Sequence, residues 1–307
     1  MVEKIGLMKE FYSKLLLFGE YTVIKGSAAL AIPYQRYSGQ WRFAKEKTKS
    51  NKILGEWLVY LQQQTLDFDF QFDRFAADLA NGLTFDSDIP QGYGVGSSGA
   101  LCAALLHEYV TVFYSKKKDI FYLKKCFIQL EDFFHGKGSG IDPLICYFNR
   151  PMTFQTTGIT LQNNWITTEN TPTNQVCFLI NTHIERQTEP LVTAFLEQCE
   201  KDNYSEKLTK ELVQYNNNAI EAILKKDYNT LFNTLPQIAQ FQFEAFQKMI
   251  PPSFNELWRR SLDEEAYDLK LCGAGGGGFI LGFAKDWTAT QAILNEYDLE
   301  LVFYLND

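Results

Sequence analysis

A two-domain globular protein that combines strands with helices is the architecture this sequence predicts, and three observations predict it. Its 307 residues exceed the size at which a single hydrophobic core stops growing, about 250 to 300 residues. Its composition, 46% hydrophobic and 15% aromatic with 25 Phe and 16 Tyr against 21% charged, supplies sizeable cores and excludes a disordered chain. Its apolar residues fall in strand-like runs in some stretches and at helical spacing in others.

The elements follow in order. Residues 11–43 read as strands joined by turns, with one apolar run punctuated at Gly19 and a second closed off around Pro33. Ile53, Trp57 and Leu61 have the spacing of an amphipathic helix, whereas Leu66, Phe68, Phe70 and Phe72 alternate with polar residues across 65–75, as in a strand with one buried face. After Pro90 a glycine-rich turn opens directly onto an Ala- and Leu-rich helix, and a second helix is expected across Phe121 to His135, ended by Gly136. The composition between Leu161 and Gln175 is that of a surface connection. A strand at VCFLINT, helical spacing from about 189 to 264, two apolar runs around GAGGGG and a final strand at LELVFYL complete the chain.

Charge and cysteine usage narrow the function classes. The balance of 29 Lys+Arg against 37 Asp+Glu gives a formal net charge of −8, whose long-range field repels nucleic acid and anionic membranes. Any phosphate site must then be built locally. Cys102, Cys126, Cys146, Cys177, Cys199 and Cys272 form no CxxC pair and are expected to be reduced thiols of a cytoplasmic protein. The amino terminus has no signal-peptide pattern, and no run approaches the roughly 18 apolar residues of a membrane helix. Three histidines leave little material for a His-rich metal centre.

Four segments can carry chemistry. Pro90, Gly92, Gly94, Gly96, Ser97 and Ser98 form a turn that runs into a new helix, where close backbone approach, unpaired N–H groups and the positive end of the helix dipole make an anion cradle. The two serines are also suited to cap that helix. The letters GxGxxG occur here too, but a dinucleotide fingerprint should follow a buried strand and precede an acidic residue by about 20 positions, and neither Glu108 nor Asp119 is so placed. No GxxxxGK[ST] is present. In the second segment Glu131 and His135 share a helix face, and Asp142 lies beyond a glycine hinge that lets its carboxylate turn back toward it. Third, Lys14 precedes a continuous apolar run and must reach either solvent or an anion. Fourth, Lys270 to Phe279 places five glycines between two strand-like runs, more than a hairpin turn needs, which suggests close packing on a ligand or another loop.

In this order the segments resemble the motifs of the GHMP small-molecule kinases. Ser13 to Tyr21 is similar to the first motif, Pro90 to Ala100 to PxGxGLGSSAA, and Lys270 to Phe279 to KLTGAGGGG. Within the superfamily the mevalonate kinase branch fits best, because Glu131 is followed by His135-Gly136-Lys137-Gly138-Ser139-Gly140-Ile141-Asp142, which resembles HGxPSGxD, and Asn181 to Thr188 resembles NTxVxRxT. Departures are Tyr21 for the His of GEH, Val95 for Leu, Gly99 for Ala and Gly138 for Pro.

The resemblance implies an α+β, two-lobed fold: residues 1–172 as an ATP-binding lobe like domain 2 of ribosomal protein S5, and residues 173–307 as a ferredoxin-like lobe, with the site in the cleft between them. It implies phosphorylation of a small-molecule hydroxyl by ATP, with mevalonate the favoured acceptor and a phosphomevalonate or sugar kinase the nearest alternative. A nicotinamide-dependent oxidoreductase is the alternative of a different class. Asp142 would be the base and Lys14 would sit beside the transferred phosphoryl group. Ser98 and Glu131 would hold Mg²⁺, Pro90 to Ser98 would bind the phosphates, and Glu20, Arg186, Thr188 and Gly275 would line the acceptor pocket. The expected partner is a small-molecule substrate, with neither nucleic acid nor membrane, and the chain is a candidate homodimer.

Overall fold

The computed structural model describes residues 9–46, 48–111, 116, 119–136, 138–168, 173–186, 188–200 and 206–305. The chain divides into two compact units, both discontinuous in sequence. One comprises residues 1–14, 32–90 and 95–150; the other comprises 15–31, 91–94 and 151–307.

The first two strands, β1 (Phe11–Phe18) and β2 (Ala29–Phe43), contribute residues to both units. β2 runs straight through Pro33, where the sequence reading closed the strand. Its antiparallel ladders with later strands lie on either side, at Ala29–Ala31 and at Gly39–Phe43, so the missing N–H of proline falls between them.

In the first unit β2 pairs with β4 (Leu83–Ser87), and the helices are α1 (Lys49–Gln62), α2 (Phe72–Ala80), α3 (Ser97–Tyr109), α4 (Ile120–His135) and α5 (Ile141–Phe148). α1 is fixed by a capping box at Thr48 and Asn51, and its buried Trp57 stacks on Phe133 of α4 at 5.9 Å between ring centroids. α3 is buried on most of its surface. Ala100, Cys102, Ala103 and Ala104 have small side chains, which lets α4 and α5 approach it closely. Gly136 ends α4 in the left-handed conformation, φ 66°, as expected.

The alternation across 65–75 does not produce the strand it suggested. Only β3 (Asp69–Phe70) pairs, with β5 (Val110–Thr111), and α2 begins at Phe72. Burial does alternate over Phe68 and Phe70, but from Phe72 onward the apolar residues Phe75 and Leu79 continue at helical spacing. Phe75 is fully buried against Tyr109 and Phe70, and this tertiary contact sets the helical reading of the segment.

In the second unit β2 pairs with β6 (Met152–Gln155), which pairs with β7 (Gly158–Leu161). A separate four-stranded sheet is built from β8 (Val176–Asn181), β9 (Tyr267–Leu271), β10 (Phe279–Ala284) and β11 (Leu299–Tyr304), in the spatial order β11-β8-β10-β9 with antiparallel pairings. Helices α6 (Thr188–Cys199), α7 (Val213–Lys225), α8 (Tyr228–Ala245) and α9 (Asn255–Ser261) lie in the sequence between β8 and β9, and α10 (Trp287–Ile293) between β10 and β11. That order and connectivity is the ferredoxin-like β-α-β-β-α-β pattern the resemblance implied. The doubly wound parallel sheet required by a dinucleotide fold is contradicted, since every strand pairing described is antiparallel.

All six cysteines are free thiols, five of them buried. No helix among the described residues is long and apolar enough to cross a membrane.

Candidate active site

Within the first unit the glycine loop, β1, α4 and α5 bring four of the predicted residues together. Lys14 lies inside β1 rather than at its end and is only 7% exposed. Its backbone N–H donates to the Val95 carbonyl at 2.9 Å, which ties the strand to the glycine loop, and its ammonium pairs with the Asp142 carboxylate at 2.8 Å. Asp142 stands in the first turn of α5, where a carboxylate is favoured by the helix dipole, and its side chain remains 37% exposed. A lysine buried this deeply requires an anion, and Asp142 supplies it.

Gly96 is the N-cap of α3, with φ 86°, and no side chain caps the helix. The expected serine cap is therefore absent: Ser97 and Ser98 are the first two helical residues. The left-handed cap conformation selects glycine, and a Cβ at Gly96 would lie 2.8 Å from Lys14 Cγ, so this residue sets how near the lysine stem comes to the start of the helix. On the other side of α3, a Cβ at Gly99 would lie 3.1 Å from Asp142 Cβ.

Glu131 is buried on α4, and its Oε2 accepts from the Gly140 backbone N–H at 2.7 Å. The chain thus meets Glu131 at Gly140, two residues before Asp142. Burial first, and then the nearby Asp142 charge, push the Glu131 carboxyl up to about 7, against the opposing effects of Gly140 N–H and Lys14. Asp142 holds the Lys14 ammonium, and Glu131 lies within electrostatic reach of both. The Glu131 carboxylate is an oxygen donor of the hard kind that magnesium takes. The side chain of His135, and Lys137 altogether, lie outside the described residues.

A second cluster lies in the other unit and includes Gly92 and Gly94, the part of the loop that precedes Val95. Arg186 donates its backbone N–H to the Gly92 carbonyl at 3.1 Å. Its guanidinium lies directly against Gly94, where any Cβ would collide with it. Nη1 donates to the Cys272 carbonyl at 2.8 Å, while Nε is buried without a partner. Thr188 is the first residue of α6, but its side chain lies outside the described residues, as does Gln187. Pro90 sits half-buried between β4 and the loop.

Glu20 and Gly275 have partners inside the protein. The Glu20 carboxylate, 2% exposed, pairs with Lys270 at 2.7 Å, and Lys270 also donates to the Leu271 carbonyl. Burial pushes the Glu20 carboxyl up while Lys270 opposes it. A Cβ at Gly275 would collide with the Met249 carbonyl, and one at Gly277 would lie 2.5 Å from the Ile184 carbonyl. The glycine tract is thus packed on neighbouring loops, one of the two explanations its surplus glycines suggested. Tyr21, in place of the family's His, holds φ 60° and donates its hydroxyl to the Ala274 carbonyl at 2.6 Å, with its ring against Phe195 and Phe246. Sequence reasoning gave no role to Lys270, although a lysine inside the apolar run YDLKL signals a buried partner.

The family profile for the GHMP kinases N terminal domain matches residues 60–150, and that for the GHMP kinases C terminal region matches 219–299. A mevalonate kinase of Dictyostelium discoideum is 24% identical over 250 residues, covering 70% of this chain and 61% of that protein, so the chain spans about three fifths of that relative's length. Among solved structures, L. major mevalonate kinase in complex with R-mevalonate superposes with a TM-score of 0.63 at 15% identity, over 96% of this chain and 93% of that one. Streptococcus pneumoniae phosphomevalonate kinase in complex with phosphomevalonate and AMPPNP gives 0.65 at 14% identity, over 97% and 100%. At such identities these two structures establish the shared fold. With both family domains matched in order along the chain, the chain belongs to the GHMP kinase family.

Proposed function

We propose that this protein transfers the γ-phosphoryl group of ATP to the hydroxyl of a small metabolite, and that the acceptor is mevalonate, giving 5-phosphomevalonate. The observation that carries the reading is the pairing of buried Lys14 with the part-exposed Asp142 at 2.8 Å, beside the glycine that caps α3. Phosphoryl transfer has a loose, charge-spread transition state, so the protein mainly positions its reactants and balances charge. Asp142 would accept the proton of the acceptor hydroxyl. Lys14 pairs with Asp142 and would balance charge on the transferred group. The loop from Pro90 to Ser98 would present the positive end of a helix dipole to the phosphates. Ser98 and Glu131 would hold Mg²⁺, which when bound would neutralise phosphate charge.

Arg186 supports the choice of acceptor. Its fork has an unused, buried Nε, a donor suited to a carboxylate such as mevalonate carries. A coupled ADP-release assay with mevalonate, phosphomevalonate and galactose tests the reading. Mevalonate is expected to have the highest kcat/KM, and equal turnover of galactose would overturn the acceptor assignment. Arg186→Ala is expected to raise KM for the acceptor by about ten-fold or more, the scale of a charged hydrogen bond, with a much smaller change for ATP. The reverse pattern would move Arg186 to the nucleotide.

The raised Glu131 carboxyl predicts a pH dependence for the metal. Below about 7 the proton competes with Mg²⁺ for this carboxylate, and above it the carboxylate is free. The half-saturating Mg²⁺ concentration is therefore expected to rise by up to about ten-fold per pH unit as pH falls below 7, and to level off above. Activity titrated with Mg²⁺ at pH 6 and pH 8 checks this. An unchanged requirement would remove Glu131 from the metal.

A further inference from the structure

The second unit contains a cavity of about 530 Å³ that none of the predicted site residues lines. Its volume falls within the range of small-molecule sites, roughly 300 to 1,000 Å³. Irregular helices wall it. Lys207 and Glu211 belong to a π-helical turn at Leu208–Leu212 and its cap, and Pro236 interrupts the hydrogen-bond ladder of α8. π-turns are frequent at functional sites.

The charges of the lining are unbalanced. Glu211, Glu244, Glu264 and Asp268 face it against Lys207. Asp268 is the informative member, because the residue is only 6% exposed and its Oδ2 is buried with no hydrogen-bond partner. Burial pushes its carboxyl up to about 7, with Lys285 opposing. A buried acceptor left unsatisfied is costly, and β9 would lose nothing in its ladder if an apolar side chain stood there. Lys207 illustrates what the lining accommodates: its ammonium lies 5.4 Å from the centre of the Phe241 ring and 3.1 Å from Glu244. An aromatic face beside a carboxylate is a recognition geometry for organic cations. A divalent metal would need several converging hard oxygens, and among the described residues no group of three or more His, Cys, Asp or Glu is arranged to hold one.

We propose that this cavity is a binding site for a small organic cation, whose primary ammonium group is received by Asp268 while Glu211 and Glu264 take up its remainder. The bound ammonium satisfies Oδ2 and neutralises the excess charge of the lining. The site is separate from the Lys14–Asp142 cluster and does not depend on which acceptor is phosphorylated.

Equilibrium dialysis of the intact protein with radiolabelled putrescine, at pH 8 and constant ionic strength, tests the proposal. Saturable binding of about one putrescine per chain is expected, unaffected by excess 1,4-butanediol, the neutral molecule of the same length. Asp268→Asn, which keeps the shape, is expected to weaken binding by about ten-fold or more. Glu211→Gln combined with Glu264→Gln, which changes less buried positions and leaves the fold undisturbed, is expected to weaken it a few-fold. The proposal is overturned if wild-type protein binds no putrescine up to about 10 mM, if butanediol competes equally, or if stoichiometric Mg²⁺ or Ca²⁺ displaces the ligand. Binding that survives both the Asp268 variant and the double variant would also overturn it.

Discussion

Asp142→Asn is expected to lower kcat by roughly 10² or more while leaving the affinity for ATP within a few-fold of wild type, the scale of a lost, positioned base. The substitution preserves the volume and the first-turn position on α5 but removes the proton acceptor and the anion that faces Lys14 at 2.8 Å. Because Lys14 is 7% exposed, the variant also leaves a buried ammonium with less compensation, so a modest loss of stability should accompany the kinetic effect. Single-turnover measurements separate the two, since unfolding reduces the active fraction whereas loss of the base slows the chemical step in every folded molecule. Glu131→Gln should behave differently, raising the Mg²⁺ requirement more than it lowers turnover at saturating metal. If Asp142→Asn retained most of its turnover, Asp142 would be a structural partner of Lys14 and the assignment of the base would be wrong.

The largest stability effect is expected at Lys270. Lys270→Met leaves the Glu20 carboxylate, 2% exposed, without its ammonium partner, although the Gly273 backbone N–H still assists it. Breaking a buried pair on one side costs about 3 to 5 kcal/mol, equivalent to a fall in Tm on the order of 10 °C for a chain of this size. Replacing both residues by apolar ones, Glu20→Leu with Lys270→Met, should recover much of the loss, because no charge then remains to be desolvated. Calorimetry of the two proteins provides the check. A single variant within about 1 kcal/mol of wild type would mean that Glu20 takes up a proton at little cost, and that the pair does not hold the glycine tract in place.

Much of the cluster around Lys14, Glu131 and Asp142 is legible in the sequence because its causes are local. Three glycines ahead of an Ala- and Leu-rich run open a helix, and Gly136 closes another. Gly140, left-handed at the start of α5, donates its N–H to Glu131 two residues before Asp142. The order of strands and helices in the second unit is likewise written in alternating apolar runs and helical spacing. What only the tertiary structure decided depends on residues far apart in the chain. Pro33 lies inside β2, outside that strand's ladders with β4 and β6. Phe72 begins a helix because Phe75 finds Tyr109. Glu20 meets Lys270 across 250 residues, and Asp268 is left without a hydrogen bond at Oδ2 beside a cavity. Local propensity and hydrogen-bond closure are properties of neighbouring residues and so appear in the order of the letters, whereas burial and the pairing of charges depend on what the rest of the chain places opposite, which only the folded molecule fixes.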